Sequence, residues 1–226
     1  YANYRAQILE NQLTGLLLKI NDNEVWVRLI GTFNAYNLLA IYGTAIELGL
    51  DHFEVLRLLS ELESVSGRFQ FIVSNQNITA IVDYAHTPDA LENVLKTIND
   101  IRTKNEQLIT VVGCGGDRDR AKRPIMANIA STLSDKVVIT SDNPRTENPE
   151  DIIAEMEKGV EAQNYKKTVS IVDRKQAIKT ACQLAQPNDI ILIAGKGHET
   201  YQEIQGVRHH FDDMEVVKDL LEQMQK

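Results

Sequence analysis

The apolar positions divide the chain near Gly67. Before it, Leu16–Ile20 and Val25–Ile30 flank Asn21-Asp22-Asn23, the pattern of a β-hairpin. Leu38, Leu39, Ile41, Tyr42, Ala45, Ile46 and Leu48 fall on one helical face, and Val55, Leu56, Leu58, Leu59 and Leu62 on another. Ser64–Gly67 ends the second helix. A hairpin and two helices make a thin core, so residues 1–66 are expected to be the tail of a larger domain. Residues 67–226 are expected to form a second domain.

Beyond Gly67 strands and helices alternate. Phe69–Val73 and Ile78–Val82 read as strands, and Thr87-Pro88-Asp89 opens a helix with a capping Thr, Pro in the first position and an acid in the first turn. Leu108–Val112 is apolar throughout, as a strand covered on both faces should be. Ile125–Leu133 reads as helix, Lys136–Thr140 as strand, and Asn148-Pro149-Glu150-Asp151 as the next helix start. Val169–Val172 predicts a short strand. Asp173 with Gln176 resembles a capping box, Ile190–Ala194 a further buried strand, and Asp213–Met224 a closing helix. Repeated β-α-β units imply an α/β fold with a doubly wound, mostly parallel sheet. Ligands of such sheets bind beyond the carboxyl ends of the strands.

Composition narrows the chemistry. A net charge of −8 with no basic block argues against bulk nucleic-acid binding and against attachment to an anionic membrane. No apolar run is long enough to span a bilayer. Cys114 and Cys182 lie outside any CxxC pattern, which fits a reduced, cytoplasmic protein better than a disulfide or zinc scaffold. The chain lacks an initiator Met and opens in polar-apolar alternation, so a trimmed fragment is expected.

Four unusual segments follow four predicted strands: Asp83–Pro88, Gly113–Arg120, Asp142–Arg145 and Gly195–Glu199. If the fold is as read, these loops meet. Asp142-Asn143-Pro144-Arg145 sets a carboxylate beside a guanidinium on a turn stiffened by proline, a match for a zwitterionic amino-acid group. Its bland alternative is an Asx-type turn with a solvated ion pair. Gly113–Gly116 lacks the third glycine of a dinucleotide fingerprint, since Arg118 stands there, so close approach to a small ligand is expected. Gly195-Lys196-Gly197-His198-Glu199 lacks P-loop spacing. Glu199 could hold a ligand ammonium; the alternative is a plain turn with Lys196 solvated. Asp83 ends a buried strand and either accepts from a ribose or pairs with backbone donors. His86 precedes a helix start suited to phosphate. Capping is the default for Asn34, and Arg68 is either a surface ion-pair partner or a phosphate contact.

Taken in order, Gly31-Thr32-Phe33-Asn34 with Asn37, Gly67-Arg68, Asp83–Pro88, Gly113–Arg123, Asp142–Arg145 and Gly195–Glu199 closely resemble the Mur ligases. The likeness is to those that add the third amino acid in peptidoglycan assembly, and it runs through essentially the whole chain. It implies that residues 1–66 end the central ATPase domain and that residues 67–226 form the Rossmann-like C-terminal domain. The UDP-binding domain, the P-loop, the carbamylated lysine and the magnesium ligands would lie outside this chain, which alone is expected to be inactive.

The family reaction uses ATP and Mg to phosphorylate the D-glutamate γ-carboxylate of a UDP-N-acetylmuramoyl dipeptide. An incoming amine then attacks the acyl phosphate. The resemblance assigns the amino-acid pocket to Arg118, Asp142, Asn143, Pro144, Arg145, Gly195 and Glu199. It assigns Asn37, Arg68, Asp83 and His86 to nucleotide contacts, and no catalytic residue to this chain. The Arg of the Asp-Asn-Pro-Arg turn implies meso-diaminopimelate rather than L-lysine, because only the former brings a distal carboxylate. A non-catalytic amino-acid-binding module and a ligase of the folylpolyglutamate synthetase kind are the alternatives, and the Asp-Asn-Pro-Arg turn argues against the latter.

Overall fold

The computed structural model describes residues 3–226; Tyr1 and Ala2, at the expected alternating start, lie outside them. Chain contacts define two compact units. One takes in residues up to Ser64 together with Thr97–Thr103, and the other Val65–Lys96 with Lys104–Lys226.

In the first unit, β1 (Ala6–Gln12), β2 (Gly15–Ile20) and β3 (Asn23–Val27) form an antiparallel sheet. Ile20 pairs with Asn23 across the turn, where Asn21 adopts a positive φ of 51°. The hairpin stops at Val27, short of the expected Ile30. Leu16, Leu18, Ile20, Val25 and Val27 pack against Leu38 and Tyr42 of α1 (Thr32–Glu47) and Val55, Leu56 and Leu59 of α2 (His52–Glu61). Asp51 caps α2 by accepting from Glu54 N–H at 3.0 Å. Asn34 corrects the capping expectation: α1 begins at Thr32, so Asn34 sits inside the first turn and donates through Nδ2 to Ile30 O at 2.7 Å.

The second unit is built on a six-stranded sheet ordered β4-β5-β9-β6-β7-β8. β4 (Gln70–Val73) is antiparallel to β5 (Thr79–Asp83). β6 (Leu108–Cys114), β7 (Lys136–Ser141), β8 (Thr168–Ile171) and β9 (Ile190–Ala194) continue parallel to β5. The doubly wound, mostly parallel sheet is therefore present. Every residue of β5, β6 and β9 is buried, which explains their unbroken apolar runs.

Helices α3 (Pro88–Ile101) follows β5, and α4 (Lys122–Leu133), α5 (Pro149–Glu157), α6 (Arg174–Leu184) and α7 (Asp213–Gln223) cover the sheet. Ala177, Ile178 and Ala181 of α6 and Val217, Leu220 and Leu221 of α7 pack on Ile109, Val111, Val138, Ile191 and Ile193. α4 and α5 meet β6 and β7, whose alternate residues point the other way. Starts are capped by Thr87, Asn148, Asp173 and Asp212, which accept from backbone N–H groups two or three residues on. A second hairpin, β10 (Tyr201–Ile204) with β11 (Val207–His210), carries no sequence expectation.

Register positions the loops. Asp83 pairs with Ala194, Ala194 with Val112, and Cys114 with Ser141. Four strand ends therefore lie in one row, and the segments beginning at Tyr84, Gly115, Asp142 and Gly195 leave from the same edge.

Candidate functional site

A cavity of about 670 Å³ opens at this edge. Arg118, Asp142, Asn143, Arg145, Gly195 and Glu199 line it together with His86, Lys122 and Tyr201. Pro144 is buried but does not line it. Two guanidinium groups, the Lys122 ammonium and three carboxylates, those of Asp119, Asp142 and Glu199, thus share one hollow.

The turn after β7 is held by backbone as well as by proline. Arg145 has φ 51°; its N–H donates to Glu203 O at 3.0 Å, and its carbonyl accepts from Gln205 N–H at 2.7 Å. The β10–β11 hairpin therefore clamps the arginine's main chain in a conformation L-residues rarely adopt. Nη1 of Arg145 donates to Gly116 O at 2.8 Å, which spends part of the fork and aims the rest. Gly115 makes this possible, since a Cβ there would stand 2.8 Å from Nη1. Gly195, at φ 121°, lies so close to Asp142 that a Cβ would come within 2.6 Å of Oδ2.

Lys196 rules out the alternative of a plain turn with a solvated lysine, for it is fully buried. Its Nζ donates to Asn143 Oδ1 at 3.1 Å and to Glu199 Oε2 at 3.3 Å, and Asn143 Nδ2 donates to the same Glu199 oxygen at 2.8 Å. Arg118 is the most exposed of the expected pocket residues, its Nη1 reaching Asp117 O at 3.3 Å. Burial pushes the Cys114 thiol up to about 12, so this cavity-lining sulfur is an inert thiol rather than a nucleophile.

Behind the cavity stand two buried guanidinium groups. Arg123 bridges Glu147 and Glu155 and reaches Gly115 O, while Glu147 accepts from Asp117 N–H. The glycine loop is thereby braced at both ends. Arg174 pairs with Asp213 beneath the ends of β7 and β9. Sequence reasoning missed Lys196, Arg123, Arg174 and Tyr201. Charge letters look alike whether solvated or buried, and only the pattern of surrounding apolar residues, too weak here, could have marked them.

Of the residues expected to contact nucleotide, Arg68, Asp83 and His86 gather around Phe69 and Tyr84, the His86 ring centre lying 4.4 Å from that of Tyr84. Of these only His86 lines the cavity. Asp83, buried at the end of β5, accepts from Phe69 N–H at 2.7 Å, so the backbone-donor alternative is realised. Burial raises its carboxyl above the ordinary range, opposed by the Phe69 N–H, Arg68 and the Ala85 N–H. Phe69 holds a positive φ of 47°, and the adjacent Arg68 guanidinium lies 4.8 Å from the centre of the Tyr84 ring. Asn37 belongs to the first unit, where Nδ2 donates to Asn34 Oδ1 at 3.2 Å. Among the described residues no helix is long and apolar enough to cross a membrane, and no three His, Cys, Asp or Glu group as a metal site.

Fold and site together define a Rossmann-like domain with a charge-paired pocket at its carboxyl edge. The chain belongs to the Mur ligase family: residues 67–197 match the model of the Mur ligase, glutamate ligase domain. It is 56% identical over 225 residues to the UDP-N-acetylmuramoyl-L-alanyl-D-glutamate–2,6-diaminopimelate ligase of Cytophaga hutchinsonii, covering 100% of this chain and 46% of that protein. The ligase of the same name from Bacteroides thetaiotaomicron is 54% identical over 219 residues, covering 97% of this chain and 45% of that one. A solved structure of a ligase so named superposes with a TM-score of 0.76 at 41% identity, covering 100% of this chain and 46% of the other. The chain thus spans about half the length of the relatives it matches.

Proposed function

We propose that this chain is the amino-acid-presenting part of an ATP-dependent ligase that joins meso-diaminopimelate to UDP-N-acetylmuramoyl-L-alanyl-D-glutamate in peptidoglycan assembly, in the cytoplasm. The supporting observation is the single cavity lined by Arg118, Arg145, Asp142 and Glu199. Diaminopimelate carries two carboxylates and two ammonium groups, and the lining offers cations (Arg118, Arg145 and Lys122) and anions (Asp142, Glu199 and Asp119) enough to pair with all four. Lysine would leave one guanidinium without its partner, and sites built around such contacts reject the deficient ligand strongly.

In this reading residues 1–66 end a central ATPase domain and residues 67–226 are the C-terminal domain. Arg118, Asp142, Asn143, Pro144, Arg145, Gly195 and Glu199 form the amino-acid site, with Pro144 acting through the stiffness of its turn. Arg68, Asp83 and His86, with Asn37 of the first unit, are assigned to ATP on the family's motifs. Asp83 serves there by holding the backbone of Phe69, and with it Arg68. Magnesium is held by residues outside this chain.

In the ligase ATP would transfer its γ-phosphoryl group to the glutamate γ-carboxylate, giving an acyl phosphate and ADP. The deprotonated amine of diaminopimelate would then attack its carbonyl carbon, and the tetrahedral intermediate would expel inorganic phosphate and lose the nitrogen's proton to solvent to leave the amide. The cavity's contribution is to hold the amine in line, a gain from orientation rather than from acid–base chemistry. Domain closure would bring it to the acyl phosphate.

The test is Arg145→Ala in the whole ligase, with kinetics for diaminopimelate and lysine. Loss of a charge-assisted contact should raise KM for diaminopimelate about 10- to 100-fold and erode the preference over lysine. An unchanged ratio would remove Arg145 from the specificity role and the substrate assignment with it.

A further inference from the structure

Lys196 lies between two glycines of positive φ, Gly195 at 121° and Gly197 at 53°, and its side chain has no solvent exposure. A buried ammonium needs its donors satisfied, and it has three donors and no acceptor. Two go to residues that line the cavity, Asn143 and Glu199, while a third cavity residue, Tyr201, places its ring centre 5.5 Å from Nζ. Lys196 does not itself line the cavity.

The donors decide how Asn143 is turned. Its Oδ1 receives Lys196 Nζ at 3.1 Å and the Glu203 N–H at 2.9 Å, and neither group can accept. That atom must be the oxygen, so Nδ2 is fixed on the other side, where it donates to Glu199 Oε2 at 2.8 Å. One amide N–H remains for a ligand carboxylate. Glu199 Oε2 in turn receives both Asn143 and Lys196, leaving Oε1 as an acceptor for a ligand ammonium. An N–H and a carboxylate oxygen side by side complement one amino-acid end of a substrate.

Resting on the ligase reading above, we propose that Lys196 is a positioning residue for the amino-acid substrate. It locks Asn143 and Glu199 into one donor–acceptor pattern without touching the substrate. Without it the Asn143 oxygen keeps only the Glu203 N–H, so the amide is held less firmly, and the Glu199 carboxylate loses one of its two donors.

The experiment compares Lys196→Met, close in length but without donors, and Lys196→Gln, which keeps a neutral donor, in the whole ligase. KM for diaminopimelate should rise about 10- to 100-fold in Lys196→Met. It should rise less in Lys196→Gln. KM for ATP, and kcat at saturating diaminopimelate, should stay within about twofold of wild type, because an interaction lost equally from ground and transition states changes KM alone. A merely structural lysine would instead lower the active fraction, so kcat would fall with KM unchanged, and that result overturns the proposal. So does an unaltered KM in a variant with a normal thermal transition, or failure of both variants to fold. A wild type that ligates diaminopimelate beside an indifferent Lys196→Met sinks this inference alone. A wild type that does not use diaminopimelate sinks the ligase reading and this inference with it.

Discussion

Arg174 and Asp213 face each other with both side chains fully buried, joined by two parallel hydrogen bonds of 2.8 and 2.7 Å. The same guanidinium donates to Ser141 O at 3.3 Å and Ala194 O at 3.1 Å. Those are the last residues of β7 and β9, immediately before Asp142 and Gly195. One buried ion pair therefore ties the first residues of α6 and α7 to the two strand ends that carry the pocket.

Removing one partner leaves the other charged and unpaired in the interior. Arg174→Met should destabilise the domain by about 3–5 kcal/mol, read as a lower urea midpoint. The double variant Arg174→Met/Asp213→Leu should recover much of that loss, since two apolar side chains leave no orphan charge. A double variant whose loss equals the sum of the two single losses would show that the pair is uncoupled.

Gly195→Ala should damage binding more than its single methyl suggests. The new Cβ would lie 2.6 Å from Asp142 Oδ2, in a residue whose φ of 121° disfavours any side chain. Strain of this kind costs about 1–3 kcal/mol, and relief requires Asp142 to swing from its place. Thermal unfolding should show a modest drop, while diaminopimelate affinity falls by a larger factor. A variant that binds normally would mean that Asp142 can move without consequence.

The acid limb of stability should report on the brace behind the glycine loop. Arg120 first, then Arg123, holds Glu155 down from 4.5 to about 2, and Arg123 lowers Glu147 as well. A carboxyl depressed on folding stabilises above its unfolded value and loses that contribution as pH falls through its folded value. Melting temperature should accordingly decline between about pH 4.5 and pH 2. Glu155→Gln should be less stable at neutral pH and flatter across that window. A parallel decline in the variant would assign the acid sensitivity to other carboxylates.

The elements were legible where local chemistry and period agreed. Leu108–Val112 and Ile190–Ala194 are short, β-branched apolar runs of the kind that strands buried on both faces carry, and Thr87-Pro88, Asn148-Pro149 and Asp173 open helices as their capping chemistry requires. The β10–β11 hairpin was not legible, because Val207–His210 is exposed throughout and carries no apolar alternation. Asn34 misled for a related reason: an Asn near a helix start caps only if the helix begins after it, and Gly31 sets the start three residues earlier.

Sequence alone determined the order of strands and helices of the main sheet, the four loops at their ends and the residue types those loops carry, because turn chemistry and hydrophobic period are local properties. Tertiary structure alone decided which charges pair. Arg145 owes its conformation to Glu203 and Gln205, and Lys196 reaches Asn143 across 53 residues of chain. Burial and partnership depend on what the rest of the fold brings near, and at long range that information is in no single segment.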